Sequence, residues 1–240
     1  MEIEVRREGP GGSAESDIAD EMALLEDVLG TPTRGVLRLW RTSPCLVVTS
    51  LLAHRAAFAA AADASAARGR PVVVRRTGGG PVPQTKGTLN VSLAYATPRD
   101  QAPGIDAAFK HFAEGMLAAL QSCGVTAAVG EIAGSCCPGR YDIAIGARKI
   151  IGIAQRRRQG TAGGERDGAL LSAVLVHAMV WVDGTLDPEI DHLERFLDEA
   201  GAPIRFRRDV MGTLQGISGV SADAFEAALR PAFAFTTRTM

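Results

Sequence analysis

The stretch RRTGGGPVPQTKGTLNVS, residues 75–92, decides how the chain is interpreted. The valines before it predict a strand over residues 71–76, and the alternation after it predicts a second strand over residues 88–95. Glycines between strands let backbone amides approach a ligand closely, although an ordinary hairpin loop uses the same residues. A dinucleotide-binding turn needs G-x-G-x-x-G followed by a helix, and this stretch has neither. The stretch therefore predicts sheet structure around a glycine loop.

The rest of the chain alternates between helical and strand patterns. Helices are predicted over residues 16–30 (capped by Ser16 or Asp17), 53–67, 105–123, 187–200 and 221–229. Further strands are predicted over residues 36–40 and 45–49, which we expect to be neighbours, and over 125–132, 141–145, 149–155 and 169–182. Short turns between strands favour an α/β fold of the α+β type: one domain with a mixed, largely antiparallel sheet flanked by helices.

The two ends of the predicted domain differ in character. Residues 1–15 combine charges with a Gly-Pro-Gly-Gly run, which predicts a disordered N-terminal arm. Residues 16–240 are then expected to form the domain. The polar, glycine-bearing residues 159–168 are predicted to be a mobile loop within it.

The composition excludes several classes of protein. The chain has 240 residues, 46% of them hydrophobic and 22% charged, as in an ordinary globular protein. Its net charge of -1 gives no reason to expect a nucleic-acid partner. No apolar run reaches the roughly 20 residues that cross a bilayer, and the charged start lacks the apolar core of a secretory signal. We therefore expect a cytoplasmic protein with no membrane partner.

The cysteines suggest chemistry rather than a disulfide framework. Cys45, Cys123, Cys136 and Cys137 include no C-x-x-C pair and show no metal-ligand spacing with the histidines, so no metal site is predicted. Cys136 and Cys137 precede a hairpin pattern whose second strand opens on Lys149. A thiol and an ammonium on neighbouring elements suit acyl transfer, although a buried cysteine and a solvated lysine are the commoner roles.

Two segments carry a family resemblance. Residues 75–82 followed by 87–92 resemble the signature of the lipoate-protein ligase and octanoyltransferase superfamily, roughly R-R-x-S/T-G-G-G-x-V and then G-x-L-N-x-S. The segment GARKIIGIAQ, residues 146–155, is similar to that superfamily's G-x-K-x-x-G-x-A-x-R segment, with the lysine at Lys149. The sequence Val-His-Ala at 176–178 resembles a later H-G segment, with alanine in place of glycine.

A further block resembles one branch of that superfamily. CPGRYD, residues 137–142, together with GIAQRR, residues 152–157, resembles the lipoyl-relay amidotransferases. Those enzymes move an octanoyl or lipoyl group from the glycine cleavage H protein to other lipoyl domains. The resemblance implies that Cys137, rather than Cys136, is the acyl-accepting nucleophile and that Lys149 is its catalytic partner.

The resemblance also implies an enzyme, its ligands and its partners. It would transfer an octanoyl or lipoyl group to a carrier lysine through a Cys137 thioester, with no cofactor required. The glycine cleavage H protein, acyl carrier protein or the lipoyl domains of 2-oxoacid dehydrogenases would be the carriers. The implied substrate-binding residues are Arg76, Thr77, Gly78, Gly79, Gly80, Asn90, Ser92, Tyr141, Asp142, Gly152, Ala154, Gln155 and His177.

Other interpretations remain open from the sequence. An ATP-dependent lipoate-protein ligase would act through lipoyl-AMP and would need ATP and Mg²⁺. A binding protein that keeps the acyl pocket without catalysis is a third hypothesis, and a biotin ligase rests on fold analogy alone. The arginines at 156–158 are predicted to be a solvated rim, with a docking patch for an acidic carrier as the alternative.

Overall fold

The body of the protein is a seven-stranded sheet with the order β1-β2-β6-β10-β9-β8-β7. This computed structural model describes residues 2–75, 77–164 and 168–236. The strands are β1 (Glu2–Glu8), β2 (Arg34–Trp40), β6 (Thr88–Pro98), β7 (Ala128–Val129), β8 (Ile143–Ile145), β9 (Arg148–Thr161) and β10 (Leu170–Trp181). β1 pairs with β2 in parallel, and the other neighbouring strands described pair antiparallel. The predicted mixed, largely antiparallel sheet is confirmed.

A second sheet has three strands in the order β4-β3-β5. They are β3 (Cys45–Thr49), β4 (Val72–Arg75) and β5 (Val82–Gln84). The prediction that residues 36–40 and 45–49 are neighbouring strands was wrong, because the chain leaves the large sheet at the Ser43-Pro44 turn and β3 pairs with β4 and β5 instead. The indole N–H of Trp181 donates to the carbonyl of Pro83 at 3.4 Å and links the two sheets.

Helices cover both faces of the large sheet. They are α1 (Ala14–Gly30), α2 (Ser50–Ala53), α3 (Phe58–Ala67), α4 (Ile105–Ser122), α5 (Asp187–Glu199), α6 (Leu214–Ser218) and α7 (Ala222–Thr236). On one face, α4 and α7 pack together, with the rings of Phe112 and Phe233 5.2 Å apart. On the other face, leucines of α1 pack against Val36, Ala94 and Leu175, and the small sheet packs beside them. Successive strand residues point to opposite faces, so the sheet separates these two cores.

The structure differs from the predicted disordered arm at residues 1–15. Glu2–Glu8 forms the edge strand β1, and its charges are paired: Arg6 with Asp27 at 2.7 Å, and Glu8 with the buried Arg38. The first helix is capped by Ser13 rather than by Ser16 or Asp17, and Ser16 completes the capping box.

Other boundaries also shift. The predicted helix over 53–67 begins later, as α3 at Phe58, and a separate short helix, α2, precedes it over Ser50–Ala53; the predicted strand over 125–132 shrinks to Ala128–Val129. The predicted mobile loop over 159–168 begins inside β9, which runs to Thr161, and residues 165–167 lie outside the described part of the chain. Across the described residues, none of the helices is both long and apolar enough to pass through a membrane.

Candidate functional site

A cavity of about 320 Å³ lies between the large and small sheets. Two rows of paired residues lie beneath it on one face of the large sheet, and all of them except Arg38 and Ser92 line it. The rows are Trp40–Asn90–Met179–Gly152 and Arg38–Ser92–His177–Ala154, each running from β2 through β6 and β10 to β9. The small residues Gly152 and Ala154 on β9 leave room above the sheet. The size is within the range of pockets that bind small ligands, about 300–1,000 Å³.

Cys137 lines this cavity on the loop before β8. The backbone N–H of Gly80 donates to its Sγ at 2.7 Å. Cys137 has a φ of 49°, which makes it the one described non-glycine residue with positive φ. Such a conformation costs of order 1–3 kcal/mol and persists where surrounding contacts impose it. The glycine loop and the loop that carries Cys137 are therefore in direct contact.

Gly79 shows how closely those loops approach. Its φ is +112°, and a Cβ placed there would lie 2.8 Å from Cys137 Sγ and would also collide with the guanidinium of Arg75. A Cβ at the neighbouring Gly78 would meet nothing within 4 Å. Of these two glycines, Gly79 is the one that the thiol contact requires.

Lys149 is 1% exposed and holds the backbone of the cysteine pair. Its Nζ donates to the carbonyls of Cys136 and Cys137, both at 2.8 Å, and pairs with Asp142 Oδ2 at 2.7 Å. An ammonium has three N–H donors, so these partners use all of them. Lys149 and Cys137 are thus brought together as the sequence predicts, but the contact is made through the main chain.

Asp142 completes this buried arrangement. Its carboxylate also accepts the backbone N–H of Gly139 at 2.8 Å. Burial raises the pKa of Asp142, and the attraction of Lys149 opposes that rise without cancelling it.

Cys136 differs sharply from its neighbour. It is fully buried in the core that includes Met179 and Trp181, and its backbone N–H contacts Met211 Sδ at 3.3 Å. Burial raises the pKa of its thiol to about 12. Of the two adjacent thiols, only that of Cys137 lines the cavity.

Arg75 was missed by the sequence prediction. It lines the cavity, its Nη2 donates to the Gly80 carbonyl at 3.1 Å, and the same nitrogen lies 4.0 Å from Cys137 Sγ. The prediction chose Arg76, which lies outside the described residues. Adjacent residues of a strand point to opposite sides, and the doubled arginine alone does not indicate which one faces the ligand.

A buried carboxylate from α1 was also missed. Glu21 accepts a hydrogen bond from Ser92 Oγ at 2.5 Å and lies 3.2 Å from His177 Nδ1. Burial alone would raise the pKa of Glu21, but His177, Ser92 and Arg38 together hold it below its usual range. His177 Nε2 is buried with no hydrogen-bond partner among the described residues. Glu21 lies three residues after Ile18 and four before Leu25, so helical spacing places it beside the apolar stripe, a signal that the sequence prediction did not use.

The remaining predicted residues divide into lining and supporting groups. The cavity is lined by Gly78, Gly79, Asn90, Cys137, Asp142, Lys149, Gly152, Ala154, Gln155 and His177. Thr77, Gly80, Ser92 and Tyr141 lie behind the lining. Ser92 accepts from the indole N–H of Trp40 at 2.9 Å, and Tyr141 stacks on the cavity-lining Phe109 with ring centres 4.8 Å apart.

The arginine run lies beyond the cavity on β9. The guanidinium of Arg157 donates to the carbonyls of Pro103 at 2.6 Å and Gly104 at 3.0 Å, which ties β9 to the start of α4. Arg158 pairs with Glu26 at 2.7 Å, with both side chains more than half exposed. Arg157 therefore has a structural contact, while Arg158 belongs to the solvated rim.

Comparison with solved structures shows which class of fold surrounds this cavity. A crystal structure of lipoate-protein ligase A bound with ATP superposes with a TM-score of 0.74 over 99% of this chain and 86% of that one, at 22% identity. A bipartite lipoate protein ligase from Thermoplasma acidophilum gives 0.70 over 98% and 84%, at 21% identity. The architecture is that of the lipoate-protein ligases.

Sequence comparison gives the family. Residues 14–234 match the family model of the lipoyl protein ligase A/B catalytic domain. An octanoyl-[GcvH]:protein N-octanoyltransferase of Kyrpidia tusciae is 31% identical over 92% of this chain and 78% of its own length. An uncharacterised protein of Cupriavidus necator is 42% identical over 71% and 69%. The chain belongs to the lipoyl protein ligase A/B catalytic domain family and is an enzyme of that superfamily.

Proposed function

We propose that the protein moves an octanoyl or lipoyl group to a lysine of a lipoyl-carrier domain, with Cys137 as the acyl acceptor. One observation carries the proposal: the thiol of Cys137 lines the cavity between the sheets and faces the Gly80 amide at 2.7 Å. Sequence relatives support it, since several of them, including the Kyrpidia tusciae protein, are octanoyl-[GcvH]:protein N-octanoyltransferases.

The proposed reaction has two steps. In the first, Cys137 sulfur attacks the carbonyl carbon of a donor amide or thioester, a C–S bond forms, and the donor amine or thiol leaves with the thiol proton. In the second, the acceptor lysine amine attacks the thioester, the C–S bond breaks, and a proton from the amine returns to sulfur. The donor acyl group is already an amide or a thioester and the product is an amide, so the transfer is isoenergetic or downhill and consumes no ATP.

The acyl chain would occupy the apolar part of the cavity. Ile18, Val47, Val82 and Met179 supply its apolar walls, and Gly152 and Ala154 leave space over β9. Asn90 stiffens that wall through two reciprocal amide hydrogen bonds with Gln84, at 2.9 and 3.1 Å. An eight-carbon chain gains free energy from this burial, about 0.8 kcal/mol per buried methylene.

Lys149 contributes by positioning in this proposal. Its bonds to the carbonyls of Cys136 and Cys137 support the left-handed backbone that presents the thiol. The carrier partners we infer are the glycine cleavage H protein, acyl carrier protein and lipoyl domains, and a cytoplasmic location stays a prediction.

Intact-mass analysis tests the proposal. We expect incubation with octanoylated carrier to add one octanoyl group, less one hydrogen, to the wild-type protein and to the matched control Cys136→Ala. Cys137→Ala should gain no mass and should leave an acceptor lipoyl domain unmodified. Full acceptor modification by Cys137→Ala would reject the thioester route. Modification that requires free octanoate, ATP and Mg²⁺ would instead favour the ligase alternative.

A further inference from the structure

Arg75 has the geometry of a group that acts on the acyl carbonyl. Its Nη2 is bound to the Gly80 carbonyl at 3.1 Å and lies 4.0 Å from Cys137 Sγ. Its Nε is buried without a hydrogen-bond partner among the described residues, and the side chain lines the cavity. Nη2 of this guanidinium therefore lies near the position where an acyl group on sulfur would begin.

Among the described residues that line the cavity, the second permanent cation is Lys149, and it is not available for this task. Lys149 directs its three donors to the carbonyls of Cys136 and Cys137 and to Asp142. Reaching an acyl oxygen would require it to leave a buried carboxylate unpaired, which costs several kcal/mol. Arg75 has no such carboxylate partner in the contacts described.

We propose that Arg75, together with the Gly80 amide, stabilises the oxyanion that forms whenever an acyl group enters or leaves Cys137. The inference rests on the proposed acyl transfer and names the groups that stabilise the negative charge formed in it. When sulfur attacks, the carbonyl π electrons move to oxygen. The negative charge then lies on the oxygen of the carbon that is bonded to Sγ. A donor 4.0 Å from sulfur is then placed to bind that oxygen, while a donor at 2.7 Å touches the sulfur itself.

The Gly80 amide changes partner during the step. In the free enzyme it donates to Sγ at 2.7 Å. Once sulfur carries the acyl group, it is a much weaker acceptor, and the developing oxyanion beside it is a far stronger one. Collapse of the oxyanion restores the C=O bond and expels the donor amine or thiol, which leaves with the proton of Cys137. Both donors bind the oxygen more strongly when it carries the negative charge than when it is a neutral carbonyl, as transition-state stabilisation requires.

Two rates on the same cysteine test the assignment. The first is acyl-enzyme formation from octanoylated carrier in a single turnover. The second is alkylation of Cys137 by iodoacetamide, followed by peptide mass spectrometry, because substitution at a saturated carbon forms no oxyanion. We expect Arg75→Gln to slow acylation about 10²- to 10³-fold, the usual loss on removing one oxyanion donor, and to slow alkylation far less, because alkylation loses only the attraction of a cation 4.0 Å from the attacking sulfur.

The controls separate the possible failures. Arg140→Gln removes an exposed arginine, paired with Asp106, that does not line the cavity, and it should change neither rate. Should Arg75→Gln fail to fold, the same two rates are measured on Arg75→Lys. An ammonium lacks the planar fork of a guanidinium, so the acylation rate alone should fall. Equal loss of both rates, or no loss of acylation, would overturn the role of Arg75. A wild-type protein that forms no adduct would overturn the proposed function itself.

Discussion

Lys149 and Asp142 form an ion pair, 2.7 Å between Nζ and Oδ2, whose side chains are 1% and 2% exposed. A pair this deeply buried contributes little net stability, but removal of one partner leaves an uncompensated charge. Here Lys149 also binds the backbone carbonyls of Cys136 and Cys137. The lysine that the family motif marks is therefore part of the scaffold of the thiol.

Lys149→Met is expected to lower the free energy of unfolding by about 3–5 kcal/mol, because Asp142 is then buried without its counter-charge. Urea denaturation followed by circular dichroism measures the loss. Arg148→Met is the matched control, since Arg148 is the exposed neighbour on the same strand and should change stability by less than about 0.5 kcal/mol.

The double variant Lys149→Met/Asp142→Asn extends that test. Asparagine is neutral and still accepts the Gly139 N–H, so it should recover part of the lost stability. A double variant less stable than Lys149→Met would show that the buried charge is not the source of the loss.

The glycine loop allows a comparison of neighbouring residues. Gly79→Ala should reduce acyl-enzyme formation strongly, because the new methyl group would lie 2.8 Å from Cys137 Sγ at a φ of +112°. Gly78→Ala adds a methyl group that meets nothing within 4 Å, so its acylation rate should stay close to that of the wild type. Single-turnover mass spectrometry measures both, and equal rates for the two variants would contradict the contact.

The adjacent cysteines should differ in alkylation. The pKa of about 12 leaves Cys136 almost wholly protonated at neutral pH, and the side chain is buried. Iodoacetamide should therefore label Cys137 in the folded protein and label Cys136 only after unfolding in urea. Peptide mass spectrometry distinguishes the two residues, and early labelling of Cys136 would show that its loop opens.

Stability should depend on Glu21 at acid pH. The pKa of this carboxylate is held below its ordinary value of 4.5 in the folded protein, so the unfolded chain takes up the proton first as the pH falls. The stabilisation is fully present above pH 4.5 and is lost as the pH falls through the lower folded value. Glu21→Gln, which cannot titrate, should show a shallower loss of unfolding free energy over that window. Parallel curves for the two proteins would exclude this linkage.

Sequence reasoning reached the fold and the centre of the site for definable reasons. Alternation along residues 88–95 and the apolar run at 169–182 correspond to the central strands β6 and β10, whose pattern follows directly from burial. The glycine triplet was informative because removal of side chains permits close approach, and Gly79 and Gly80 do contact Cys137. Local chemistry was sufficient in these places.

The errors arise where partners come from distant parts of the chain. The charged segment Glu2–Glu8 becomes a strand because Asp27 and Arg38 pair with its charges. Glu21 faces inward because Ser92 and His177, far along the chain, bind its carboxylate. No local pattern indicates such pairings between distant residues, so they appear only once the fold is assembled.

The thiol lies where two separately hydrogen-bonded sheets meet. Its amide donor follows β4 of the small sheet, its lysine lies on β9 of the large sheet, and Trp181 and Pro83 bridge the sheets near Cys136. The reactivity of Cys137 is therefore expected to depend on the packing of the two sheets against each other. We therefore expect substitutions at the contact between Trp181 and Pro83, neither of which lines the cavity, to change the reactivity of Cys137.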